Sequence, residues 1–390
     1  MDYFLKSSLV LTGHSGEVIS NGAVIVQGGN IVKVGSQQEL EVLMEPSMEV
    51  IDFKDMTLMP GMIDCHVHLG FDGSEDPVAH MKQSTDEQLL VTMLYNARLL
   101  LKSGVTTARE LGARSFLDLV VKEAIHAGTA IGPNLLVSNR PITTTGGHCW
   151  FMGCECDDAV QIKHAVREHH KAGADLIKIM LTGGFMTKGS APWYTQFNDH
   201  EMETAAYEAH RLDKKIAVHA HGTPGILSAT RAGVDTIEHC SWVTPTGFEY
   251  NHECAEQIVE KGIYVCLTTN IGWRQIRMRE QRFRNIKRMK ELGMKFIAGT
   301  DAGINFVPHD KYVAGLEAMY DIGMTRAEII ESATIVAAEA LGIADETGSI
   351  TPGKRADLIA VKGNPLEDLA HLWSVAWVMR DGKVPDFVHV

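Results

Sequence analysis

Two histidines one residue apart, His66 and His68 in "LMPGMIDCHVHLG", stand at the end of an apolar, β-prone run that Pro60 and Gly61 interrupt. In a strand, residues i and i+2 share a face, so both imidazoles project into whatever lies at the strand's end. Two neutral imidazoles side by side are half of a metal site. Alone, the pair reads equally well as two loop histidines. The ends of other strand-like runs carry matching chemistry: Lys178 in "DLIKIML", His219 in "KIAVHAH", His239 in "VDTIEHC" and Asp301 in "KFIAGTDAG". A core histidine, a helix cap or a snorkelling lysine explains each one singly. Together they would have to fall by accident on the same rim.

Charge bookkeeping accounts for the residue types. Two divalent cations carry four positive charges and imidazoles neutralise none, so anionic oxygens are needed. Asp301 supplies one. Lys178 as an ammonium has no lone pair for a metal. After reaction with carbon dioxide it becomes a carbamate whose two oxygens can bridge two ions, and a hydroxide shared between those ions supplies the third anion and the nucleophile. Zinc is the default expectation for the metals.

The elements that position these residues follow from the hydrophobic pattern. From about Met56, strand-like runs alternate with amphipathic helical stretches: "MIDCHVH", "GVTTARELG", "NLLVSN", "DLIKIML", "KIAVHAH", "VDTIEHC", "IYVCLTT" and "KFIAGTDAG". Eight such runs fit an α/β fold of the (β/α)8 TIM-barrel kind better than a doubly wound open sheet, and in such a barrel the active site lies at the C-terminal strand ends. Asn198 with Glu201, and Thr325 with Glu328, have the spacing of capping boxes that open helices. Short alternating runs flank the barrel on both sides, with "GGN" at 28–30 suited to a hairpin turn. The expected organisation is a small β-sandwich domain formed from both chain ends, residues 1–56 and 346–390, around a barrel spanning 57–345.

These motifs resemble the amidohydrolase superfamily, specifically its binuclear members with a carboxylated lysine. "PGMIDCHVH", Lys178, the histidines of strands five and six, the "GTDAG" aspartate and "PGKRADLIAV" carry the likeness across nearly the whole chain. "RPITTTGGH", "ADLIKIMLTGG", "AVHAHG", "DTIEH" and "SATIVAAEALG" are similar to the prolidase-like branch, which hydrolyses Xaa-Pro dipeptides or removes C-terminal residues from small peptides. The resemblance implies that His66, His68, Lys178, His219, His239 and Asp301 hold two metal ions. It also implies that His148 polarises the scissile carbonyl, that His221 holds substrate, and that Asp301 carries the proton to the leaving nitrogen. Arg140 and Tyr194, in loops over the same rim, are further candidates for substrate contact. The family usually has a small residue after the histidine that matches His148; Cys149 and Trp150 follow it here, so a narrower loop is expected. The implied reaction is hydrolysis of an amide C–N bond by the bridging hydroxide, on a dipeptide or N-acyl amino acid. Alternatives are another small amide, a urea or carbamate, ring deamination, or a non-catalytic scaffold. Deaminases of the superfamily usually lack the strand-four lysine and carry a glutamate shortly after the strand-five histidine, and "HAHGTPG" has none.

Composition narrows the setting. With 390 residues, 45% of them hydrophobic, the chain can bury a large core, and its net charge of −13 disfavours nucleic acid or an anionic membrane as partner. One local exception is the run Arg274, Arg277, Arg279, Arg282, Arg284, Lys287, Arg288 and Lys290, interspersed with apolar residues at helical spacing. It reads as the solvated face of an amphipathic helix. Seven scattered cysteines without a C-x-x-C pair fit a reducing compartment, so a cytoplasmic protein acting on a small molecule is expected. No run is long enough to suggest a membrane span, and assembly into a homo-oligomer is left open.

Overall fold

A computed structural model of the chain describes residues 1–14, 17–276 and 278–387. A strand forms in every one of the eight runs: β1 (Met62–Val67), β2 (Val105–Glu110), β3 (Asn134–Val137), β4 (Leu176–Met180), β5 (Lys215–Gly222), β6 (Thr236–Thr244), β7 (Tyr264–Cys266) and β8 (Phe296–Ile297). β1, β2 and β3 pair in parallel as one arc, and β4 to β8 pair in parallel as a second. Parallel neighbours need a crossover, and helices supply it. This is an α/β fold of the TIM-barrel type.

Backbone hydrogen bonds run between the two arcs. Cys65 N donates to Ala298 O at 2.9 Å, Asp301 N to His66 O at 2.8 Å and His68 N to Ala302 O at 2.9 Å, tying the end of β1 to the chain leaving β8. At the other junction Asp175 N donates to Val137 O at 2.9 Å. The register puts Met180 of β4 opposite His219 of β5, and Ala220 opposite His239 of β6. Side chains distant in sequence therefore end at one level.

Local signals fix several helix starts. Capping boxes open the helices Asp199–Arg211 at Asn198 and Arg326–Ser332 at Thr325. Another, Thr85 with Gln88, opens Asp86–Lys102, whose buried face is Leu89, Met93, Asn96, Ala97, Leu100 and Leu101.

Both chain ends contribute to a single seven-stranded sheet. Its order runs Val375–Met379, Leu358–Lys362, Met56–Pro60, Tyr3–Leu11, Val18–Gln27, Asn30–Ser36, and Glu49–Asp52 also pairs with Tyr3–Leu11. Met59 lies opposite Ile359, antiparallel, so the strand that leads into the barrel is held by one from the far end of the chain. Gly28 and Gly29 turn between two strands with φ of +58° and +88°, a left-handed pair that matches the right-handed strand twist.

The basic run forms the helix Arg279–Glu291, with Ile286 and Met289 buried. Arg277 lies outside the described residues. Arg274 reaches Asp321 at 2.9 Å and Lys290 reaches Glu328 at 2.9 Å, as solvated charges do. Arg282 departs from the expected solvated face: it is half-buried, its guanidinium 4.1 Å above the Trp273 ring. The seven cysteines are free thiols. Among the described residues no helix is long and apolar enough to cross a membrane.

Candidate metal centre

At the C-terminal ends of the strands six imidazoles form one contiguous cluster. His66 and His68 lie 5.2 Å apart between ring centroids, His66 and His239 5.3 Å, His219 and His239 4.5 Å, and His148 and His219 4.6 Å. His221 stacks on His239 at 4.3 Å. All six are buried.

The tightest donor group is His66, His68 and Asp301. His66 Nε2 is 3.3 Å from His68 Nε2, and Asp301 Oδ1 is 3.2 Å from each of them. Neighbouring donors around a tetrahedral ion bound at about 2.0–2.1 Å stand roughly 3.3 Å apart, so these three atoms can share one cation. Three overlapping groups each have donor atoms within 4.8 Å of one another: His66, His239 and Asp301; His219, His221 and His239; and His66, Glu238 and Cys266. Lys178, 1% exposed, ends among these residues with its Nζ enclosed and without a hydrogen-bond partner. Burial holds its amine below the ordinary lysine range. A buried, unpartnered amine is costly unless a further group completes it.

Backbone strain shapes this rim. His239 has φ +71°, Thr268 +53° and Asp301 +60°, all left-handed for residues with a Cβ. Strict strand alternation would put Glu238 and His239 on opposite faces. Left-handed backbone at His239 lets both serve the site.

Glu238 is the hub beneath the histidines. Its Oε2 receives His66 Nδ1 at 2.8 Å and its Oε1 receives Arg109 Nη2 at 2.7 Å. Arg109 also donates to Cys65 O at 2.6 Å and to Thr236 Oγ1 at 2.9 Å. Burial pushes the Glu238 carboxyl up, but Arg109 and His66 override it and hold it well below the usual carboxylate range. Asp301 behaves similarly: burial opposes ionisation, and His66 and His68 more than offset it. Glu238 thus fixes His66 with Nε2 facing Asp301, while Thr268 Oγ1, 2.9 Å from His239 Nδ1, leaves His239 Nε2 free.

The remaining expected residues divide. His148 joins the cluster with its Nδ1 unpartnered, its backbone N–H donating to Gln196 Oε1 at 2.6 Å; burial lowers its imidazole to about 4. A Cβ at Gly184 would run into the His148 ring, so a glycine there is what lets the ring lie against the backbone. Cys149 is buried beside His148 while Trp150 is 43% exposed. Arg140 does not join: its guanidinium pairs with Glu168 at 2.7 Å and lies 4.8 Å over Phe116. Tyr194 does not join either, its side chain being 67% exposed. Sequence reasoning passed over Glu238, Arg109 and Glu110, whose Oε2 accepts from Leu69 N at 2.6 Å. The signal was present: charged residues inside otherwise apolar strand runs, "TIEH" and "TARE", need partners.

Residues 57–384 match the amidohydrolase family. The chain belongs to that family. An ochratoxinase of Aspergillus niger is 28% identical over 97% of this chain and 86% of its own length. The crystal structure of an A. niger ochratoxinase superposes with a TM-score of 0.86 at 26% identity, covering 98% of this chain and 95% of the other. A Xaa-Pro dipeptidase with methionine in its active site superposes with a TM-score of 0.86 at 28% identity, covering 99% of this chain and 100% of the other. The amidohydrolase described here is an enzyme of C–N bond hydrolysis on small molecules, in a family that typically depends on metal.

In this amidohydrolase Arg109 and Glu238 form a fully buried ion pair at 2.7 Å. Arg109→Met leaves the buried Glu238 carboxylate without its guanidinium, with His66 and Thr236 Oγ1 as its remaining partners, and should cost about 3–5 kcal/mol. Urea unfolding followed by tryptophan fluorescence checks this, with an unchanged midpoint as the contrary result.

Proposed function

We propose that this amidohydrolase uses two divalent ions, zinc by default, to hydrolyse the amide bond of a dipeptide or N-acyl amino acid. The reading rests above all on the 3.2–3.3 Å spacing of His66, His68 and Asp301 donors. In it, His66, His68, Lys178, His219, His239 and Asp301 would hold the two ions, with Lys178, as a carbon dioxide-derived carbamate, supplying an anion between them. The donor chemistry fits: neutral imidazoles, one carboxylate and one enclosed amine that carbamylation would convert to an anion. When bound, the ions polarise the amide carbonyl and activate water.

The chain's own groups do the rest. Asp301 accepts the proton of the attacking water and returns it to the departing nitrogen, which leaves poorly as an amide anion. His148 donates to the oxygen that becomes negative. His221 orients substrate beside His239, while Arg140 stays in its pair with Glu168. The likeness to a Xaa-Pro dipeptidase supports an amide beside a free carboxylate.

We read the arcs as closing into a (β/α)8 barrel over 57–345, with 1–56 and 346–390 curling into the β-sandwich domain. Free thiols support a cytoplasmic setting.

Metal analysis of protein never exposed to chelator should return about two divalent ions per chain, and chelation should remove activity. One ion or none defeats the binuclear reading. A panel of Xaa-Pro dipeptides and N-acyl amino acids, beside aminopurines and neutral ureas, tests the reaction. Activity confined to ureas or to ring deamination would sink the dipeptidase reading.

A further inference from the structure

Among the described members of the basic run, Arg282 is the one whose surroundings resemble neither solvent nor a salt bridge. It is half-buried, its Nε is enclosed with no hydrogen-bond partner, and among the described residues no carboxylate pairs with it. Arg274 and Arg279, nearby in the chain, both reach Asp321. A desolvated guanidinium without an anion is expensive, and a ligand anion would complete it.

A short chain of contacts ties Arg282 to the histidine cluster. Its guanidinium lies 4.1 Å over the Trp273 ring; Trp273 Nε1 donates to Thr268 O at 2.8 Å; and Thr268 Oγ1 is 2.9 Å from His239 Nδ1. Stacking on Trp273 covers one face of the guanidinium and leaves its edge for hydrogen bonding. Phe185, 72% exposed, packs edge-on to His221 at 5.2 Å and offers an apolar wall beside the same space.

We propose that Arg282 is the carboxylate anchor of the substrate, gripping the free carboxylate of a dipeptide or N-acyl amino acid while the scissile amide lies over the histidine cluster. This rests on the amide-hydrolase reading above and assigns to Arg282 the role for which Arg140, already paired, is unavailable. A planar fork matched to two carboxylate oxygens fixes both position and orientation, so the anchor also directs the carbonyl toward Asp301 and His148.

The test measures binding, so it does not depend on turnover. Calorimetry compares L-phenylalanine and L-proline with phenylalaninol and prolinol, which keep the amine and side chain and lack the carboxylate. The metal-loaded wild type should bind the acids about 30-fold more tightly than the alcohols. Arg282→Met keeps the stem packed on Trp273 and should bring the two to within about twofold, Arg282→Lys should restore part of the difference, and Arg284→Met, exposed on the same helix, should retain all of it. Retained acid preference in Arg282→Met, no preference in the wild type, or no measurable binding of either acid overturns the proposal. A wild type that binds acids through Arg282 yet cleaves no amide in the panel would instead defeat the reaction assignment and leave the anchor standing.

Discussion

Asp301→Asn keeps most of its metal and loses about 10³-fold or more in kcat. Oδ1 sits 3.2 Å from both His66 Nε2 and His68 Nε2, and an asparagine side-chain oxygen can occupy the same place. The left-handed backbone at φ +60° suits Asn as well as Asp, so the rim need not rearrange. What Asn cannot do is accept a proton and release it to the leaving nitrogen. Metal content measured beside kcat separates the two roles. Turnover within about tenfold of wild type would remove Asp301 from proton transfer; loss of both ions would make it chiefly a ligand.

Lys178→Ala should lose both metal and activity, the latter by at least about 10³-fold, as expected when a fixed charge-stabilising group is taken from a buried site. Nζ ends enclosed and unpartnered among the histidines, and a plain ammonium there would repel cations. The enclosed space that Ala opens can admit a short carboxylate, so acetate or propionate should recover part of the activity and of the metal content. Rescue by carboxylates but not by methylamine identifies the missing group as an anion. An unmodified amine at Lys178 in a fully metal-loaded, active crystal would overturn the carbamate.

The sequence alone determined the alternation of strands and helices, because periodicity and capping are local. Apolar runs, Asn198 with Glu201 and Thr325 with Glu328 announce their own elements within a few residues. It also brought out His66, His68, Lys178, His219, His239 and Asp301, since one rule about strand ends picks each from its own segment. Which atoms face one another was decided only by the tertiary structure. Glu238 meets Arg109 across 129 positions, and it shares a side with His239 only because the backbone there turns left-handed. By sequence Arg140 stands in a rim loop and Arg282 on the solvated face of an amphipathic helix. Glu168 takes the first at 2.7 Å, and Trp273 shelters the second at 4.1 Å without supplying an anion. Spacing along a chain fixes local conformation, but the partner of a buried charge depends on which distant segments the sheet brings into register.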